Sequence, residues 1–204
     1  MHKLTLVTKN EGKIASFRAA FDRFGHVELD VRDLPLIEPQ AKTVQEVAES
    51  KARQALELVK GDVVVIDGGF CIDALRGFPG PYTKTILDEW LGVDGLIRQM
   101  QRENNRACRF VDCLAYARTR RKNSLVVTTV YFFFSNIVGS FATAKYGEKK
   151  PWHWSDLALA FYPSGVSTTV GEKSREKYEE WKFRRKERSC SQQFADWFAE
   201  HGEE

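Results

Sequence analysis

The stretch "DVVVIDGGFCIDALRGFPGPYTK" (Asp62–Lys84) carries the reading of the fold. Its opening run, Asp62–Asp67, is β-branched and apolar, which predicts a buried strand that ends on Asp67. In α/β sheets ligands collect beyond the carboxyl ends of strands, so an acid placed there points into a cleft; the alternative is a hydrogen-bonded turn former. The second half, "GFPGPYTK" (Gly77–Lys84), alternates Gly and Pro and predicts a rigid, sharply turned loop that displays Tyr82, Thr83 and Lys84. A turn alone rarely needs two glycines and two prolines. Rigid loops with displayed polar groups suit the positioning of a ligand.

Upstream, "LTLV" (Leu4–Val7) reads as a strand, "TKNEGK" (Thr8–Lys13) as a loop, and "IASFRAAFDRF" as an amphipathic helix through Ile14, Phe17, Phe21 and Phe24. A second strand covers Val27–Asp33, followed by the Pro-punctuated loop "DLPLIEPQAK". Thr43, with Glu46 in capping-box position, predicts a helix through Val59 whose stripe joins Val44, Val47, Ala48, Lys51, Ala52, Ala55, Leu56 and Val59. Downstream, "TILDEWLGVDGLIRQMQ" is helical material, and Cys108–Ala142 alternates well enough for three strands: "CRFVDCLAYAR", "SLVVTTVYFFF" and "NIVGSFA". An aromatic connection, "KKPWHWSDLALAFYPSG", leads to a charged tail that predicts one long helix from Ser174 to about Glu200. No repeat or linker interrupts the chain, so residues 1–204 read as a single α/β domain.

The bulk numbers exclude several classes. With 204 residues, 43% hydrophobic and 29% charged, the chain has the composition of a soluble globular protein with one substantial core. The most apolar run, Ser124–Ala142, contains Ser, Thr, Asn and Gly and reads as paired strands rather than a membrane span. The N-terminus turns polar too soon for a signal peptide, and four cysteines without CxxC spacing suggest reduced thiols, which together point to a cytoplasmic protein. A net charge of +3 is too slight for an electrostatic nucleic-acid binder. Two basic clusters remain: "RTRRKN" (Arg118–Asn123) reads as a solvated hairpin turn, and "WKFRRKERS" (Trp181–Ser189) as either an exposed helix face or a phosphate-facing surface.

The loop Thr8–Lys13 joins a strand to a helix, where free backbone N–H groups and the helix dipole suit an anion. Thr8 and Asn10 offer neutral hydrogen bonds there, and Lys9 and Lys13 offer charge. The loop lacks P-loop glycines, and its polar residues also fit plain helix caps.

Taken together, "VTKNEGK", "AESKARQA" (Ala48–Ala55) and "IDGGFCIDALRGFPGPYTK" resemble the inosine triphosphate pyrophosphatase family, whose third pattern keeps its spacing here through "DGGFCIDALRGFPGPYTK" without a gap. The likeness fades after about Ala142. It implies an α/β fold with a long curved mixed β-sheet flanked by helices, two lobes around a central cleft, and a homodimer. It implies Mg²⁺-dependent hydrolysis of a nucleoside triphosphate to monophosphate and pyrophosphate. Carried over residue by residue, Lys13 and Asp67 would be catalytic; Thr8, Asn10, Lys13, Lys51 and Tyr82 would bind substrate, joined by Lys9 and Gly68 at family positions whose residue type differs; and Asp67 would also hold the metal.

The chain departs from the family pattern at several of these positions. Lys9 replaces the first-loop Gly, Ser16 an acid, Val47 an Asn, Ile66 a second acid beside Asp67, and Gly68 a Ser or Thr. Leu36 stands where the family carries a metal-binding acid, and Glu38 is the candidate replacement. In the base-reading half, Trp152, Trp154 and Asp156 could stack on and hydrogen-bond a base, or anchor a loop to the core; Lys177 matches a lysine of the tail motif, while the Ser-His-Arg that follows is absent. These departures point to an altered, aberrant or modified base. They also leave open a non-catalytic nucleotide-binding relative acting as a sensor or interaction protein.

Overall fold

A computed structural model of the chain describes residues 2–185 and 188–202. Strand β1 (His2–Val7), helix α1 (Glu11–Phe21), strand β2 (Val27–Arg32), helix α2 (Val44–Leu58) and strand β3 (Asp62–Ile72) open the chain. β1 pairs in parallel with β2 along its whole length and with β3 from Leu4↔Asp62 to Leu6↔Val64. The predicted capping box is present on α2: Thr43 accepts from the Glu46 backbone N–H, and the Glu46 carboxylate accepts from that of Thr43. Replacing such a cap by Ala costs about 1 kcal/mol. The apolar stripe of α2 is buried at Val44, Val47, Ala48, Ala52 and Ala55, and Lys51 lies among these small residues.

Strand β4 (Pro79–Gly80) pairs antiparallel with the far end of β3. Helix α3 (Thr83–Thr85), a wide turn over Ile86–Trp90, helix α4 (Gly92–Gln99), and strands β5 (Ala107–Lys122), β6 (Leu125–Phe141) and β7 (Phe161–Pro163) follow, before helices α5 (Arg175–Phe183) and α6 (Cys190–His201). The sheet is seven-stranded and mixed, in the order β2-β1-β3-β5-β6-β7 with β4 on β3. Among the described residues no helix is long and apolar enough to cross a membrane.

By contacts the chain divides into two compact units, Met1–Gly68 with Asp112–Ser135 and Lys186–Glu204, and Gly69–Val111 with Asn136–Arg185. The first has its own core, in which Leu4, Leu6, Val64 and Tyr116 of the strands meet Phe17, Phe21, Phe194 and Phe198 of α1 and α6. The Phe17 and Phe21 rings stack at 4.6 Å, and Phe21 meets Phe194 at 5.4 Å. Deleting a fully buried ring such as Phe17 costs about 3–5 kcal/mol. The second unit packs Phe70, Ile72, Leu96, Met100, Phe141 and Phe161 together.

Four expectations are corrected. β3 does not stop at Asp67 but runs to Ile72, because its far end finds a new partner in β4. Cys108–Ala142 holds two long strands instead of three: the polar pair Ser135–Asn136 stays extended, with no Gly or Pro to break it. The tail forms two helices rather than one, since Ser189 caps a fresh start at Cys190; Lys186 and Glu187 of the basic tail cluster lie outside the described residues. In "RTRRKN" only Asn123 turns, together with the Ser124 that follows it, and Asn123 takes a left-handed φ of 56°. Arg118 is buried, and Arg120 grips Asp62 through both guanidinium nitrogens, at 2.7 and 2.9 Å, so those two arginines belong to the strand.

Candidate active site

The parallel pairing of β1 with β3 closes at Leu6↔Val64, and β1 itself ends at Val7. Asp67 therefore stands just past the carboxyl edge of the parallel strands even though its own strand continues, which is where α/β sheets bind ligands. It is 5% exposed. Its Oδ1 accepts a 3.2 Å hydrogen bond from Lys51 Nζ, while its Oδ2 is buried with no hydrogen-bond partner among the described residues. A buried carboxylate oxygen without a partner is costly and marks a place for an incoming donor or cation.

Lys51 reaches this point from α2. Its ammonium is also 3.7 Å from Glu38 Oε1, so one cation is shared by two carboxylates. Glu38 lies in a segment without helix or strand between Pro35 and Pro39, and a side chain from α2 anchors it. Gln54 Oε1 accepts from the Ile37 N–H and Gln54 Nε2 donates to the Ile37 carbonyl, both at 2.8 Å. Gln54 is three residues after Lys51, on the same face of the helix. Sequence reasoning passed it over; that spacing from Lys51 was the available signal.

Lys13 arrives from α1, where its Nζ donates to the Ile66 carbonyl at 2.7 Å, beside Asp67. Its backbone N–H donates to Asn10 Oδ1, and the Asn10 N–H donates to Thr8 Oγ1. Thr8 and Asn10 thus shape the helix start, and Asn10 is its cap. Lys9 is exposed and Gly68 half-buried in β3. The first unit therefore brings Thr8, Asn10, Lys13, Glu38, Lys51 and Asp67 to one end of its parallel strands. Burial pushes the nearby Cys113 thiol up to about 12, with Cys190, Asp67 and Asp112 adding to the effect, so it stays protonated and is no nucleophile.

The second unit holds the other candidates. The Gly77–Lys84 loop is rigid for reasons now visible: Gly77 and Gly80 take φ of 90° and 59°, and Thr83 Oγ1 accepts from the Phe70 N–H while donating to the Gly80 carbonyl. Thr83 is spent on that staple, and Tyr82 is left exposed. Trp154 is 42% exposed and stacks on Trp181 at 5.6 Å and on Tyr178 at 6.0 Å. Trp152 packs against the second core with Arg175 over its ring, the anchoring role. Asp156 is exposed, and Lys149 Nζ donates to its Oδ1 at 2.6 Å. Lys177 is exposed in the first turn of α5, its N–H donating to Ser174 Oγ.

Among the described residues no three His, Cys, Asp or Glu side chains gather as a metal cluster. Glu38 and Asp67 still fit a hard dication. Mg²⁺ commonly takes one or two carboxylates and completes its shell with phosphate oxygens and water, and Asp67 Oδ2 is an unused oxygen donor.

A mixed sheet with a carboxylate–lysine cluster at its parallel edge, faced by a capped helix start, defines a class of α/β protein built to receive an anion. Within that class the chain belongs to the Ham1 family, whose family model matches residues 4–190. The dITP/XTP pyrophosphatase of Methanothermobacter marburgensis is 29% identical over 201 residues, 98% of each protein. Inosine triphosphate pyrophosphatase 1 of Trypanosoma cruzi is 38% identical over 116 residues, and that alignment takes in 55% of this chain and 58% of the relative's length. The solved structure of a HAM1 protein from Coxiella burnetii shares the fold, with a TM-score of 0.78 over 98% of this chain and all of the other at 17% identity.

Proposed function

We propose that the chain hydrolyses a nucleoside or deoxynucleoside triphosphate to the monophosphate and pyrophosphate, with Mg²⁺ as cofactor. The observation that carries this reading is the convergence of Lys13 and Lys51 on the Ile66–Asp67 segment, beside a buried carboxylate oxygen without a partner. The relatives named dITP/XTP pyrophosphatase and inosine triphosphate pyrophosphatase support a purine triphosphate.

In this reading Lys13 and the start of α1 neutralise the phosphate tail, and Lys9 adds charge at the rim. Lys51 supplies a second ammonium. Asp67 orients and deprotonates the attacking water, and Asp67 with Glu38 would hold the metal. Bound there, the ion would neutralise charge that develops on the phosphate oxygens. The likeness to the family further proposes Tyr82, Trp154, Asp156 and Lys177, all exposed residues of the second unit, as substrate-binding residues. The free state of all four cysteines supports a reducing, cytoplasmic setting, and the exposed Leu125, Val126 and Val127 support a homodimer.

The test is a panel of normal, deaminated and alkylated triphosphates with Mg²⁺, products separated by chromatography. Pyrophosphate and a monophosphate are expected from at least one substrate. Orthophosphate with a diphosphate overturns the reaction type, and binding without turnover favours a sensor.

A further inference from the structure

We infer that Lys51 is a built-in cation that closes the Glu38–Asp67 carboxylate pair to a divalent ion until a polyphosphate draws its ammonium away. The inference rests on the reading above, in which those two acids serve the metal. Lys51 Nζ lies 3.2 Å from Asp67 Oδ1 and 3.7 Å from Glu38 Oε1, so it occupies the ground between them. Lys13 leaves that place to Lys51, since its own ammonium is engaged by the Ile66 carbonyl. Asp67 Oδ2 nevertheless remains buried without a partner. Lys51 therefore compensates the charge of the pair without meeting all its hydrogen-bonding capacity.

A dication and an ammonium cannot share this ground, because like charges at contact distance repel strongly where water is scarce. The side chain of Lys51 is 21% exposed and that of Asp67 7% exposed, so solvent screens this contact only in part, whereas Glu38, 58% exposed, is the better-screened member of the pair. Lysine carries its charge on a flexible stem and can be re-aimed at modest cost if new acceptors are offered. Phosphate oxygens are such acceptors. The Gln54 clamp on Ile37 meanwhile holds the backbone beside Glu38 after the ammonium leaves. The consequence is an order of events: the free protein takes up a dication poorly, and the acids become available once a triphosphate has engaged Lys51. A surface salt bridge of no consequence for metal uptake is the competing description.

The experiment titrates Mn²⁺ alone, without nucleotide, and reads free ion by electron paramagnetic resonance. Lys51→Met should bind Mn²⁺ about tenfold or more tightly than the unsubstituted protein. Lys51→Arg, which keeps the charge, should not gain affinity. Adding Asp67→Asn to Lys51→Met should abolish the gain. Should Lys51→Met fold poorly, Lys51→Gln carries the same expectation. Unchanged affinity in a folded Met or Gln variant overturns the inference, as does a gain that survives Asp67→Asn. Pyrophosphate release by the unsubstituted protein is scored separately. A gain in affinity without release sinks the reaction and leaves the lock standing, whereas release without a gain sinks the lock alone.

Discussion

The Lys13 ammonium donates a 2.7 Å hydrogen bond to the carbonyl oxygen of Ile66, so a side chain from the first helix is tied to the strand beside Asp67. The contact joins residues far apart in the chain and holds the cation at the carboxyl edge of the parallel strands. A backbone carbonyl is a weaker partner than a phosphate oxygen, so the ammonium is placed but not consumed.

Lys13→Ala is expected to raise KM by about 10- to 100-fold, the worth of a charge-assisted hydrogen bond. The lysine is half-buried and its backbone N–H stays capped by Asn10, so thermal unfolding should shift little. Steady-state kinetics beside a melting curve checks both halves. An unchanged KM removes Lys13 from the phosphate site.

Asp67→Asn should lower kcat by about 10²–10⁴-fold, as expected when the group that handles the proton of the attacking water is lost. Stability should fall by no more than about 2 kcal/mol, because Lys51 keeps Glu38 and water as partners. Single-turnover product analysis on folded protein is the measurement, and full activity would dismiss the acid.

For Gln54→Ala, amide exchange at Ile37 should accelerate and the metal concentration needed for half-maximal activity should rise several-fold. Two hydrogen bonds of about 1 kcal/mol each hold this loop. Gln54→Glu should show an intermediate effect, since a carboxylate accepts from the Ile37 N–H but cannot donate to its carbonyl. Equal behaviour of all three proteins would show that Glu38 needs no anchor.

Asp62 governs the acid limb of stability. Burial pushes its carboxyl up, but the bidentate Arg120 and the Tyr116 hydroxyl outweigh burial and hold it below its ordinary 3.8. A carboxyl lowered on folding contributes stability that is fully present above its unfolded value and is lost as pH falls through the lower folded value. Asp62→Asn should therefore cost about 2–3 kcal/mol at neutral pH and flatten the decline below about pH 4. Denaturant melts across pH check it, and parallel acid limbs in the two proteins would refute it.

How much of this was legible beforehand follows from the range of each interaction. The capping box of Thr43 and Glu46 and the apolar spacing of α1 and α2 involve neighbours within a turn, so local pattern shows them. The residue types at Lys13, Lys51 and Asp67 were likewise readable, through their motifs. Strand lengths were not: β3 outlasts Asp67 only because β4 returns to pair with it, and β6 passes Ser135–Asn136 with no local signal to mark the difference.

The amino-acid order thus determined which groups are candidates for the proposed chemistry and the helices that carry two of them, because both are written in short spacings. Only the folded chain decided that Glu38 stands beside Lys51, next to an Ile37 backbone held by Gln54 from 17 residues away, and that Asp62 gathers Tyr116 and Arg120 from more than fifty. Those partners meet through strand pairing and helix packing, and closure of the chain over such spans leaves no periodic trace in sequence.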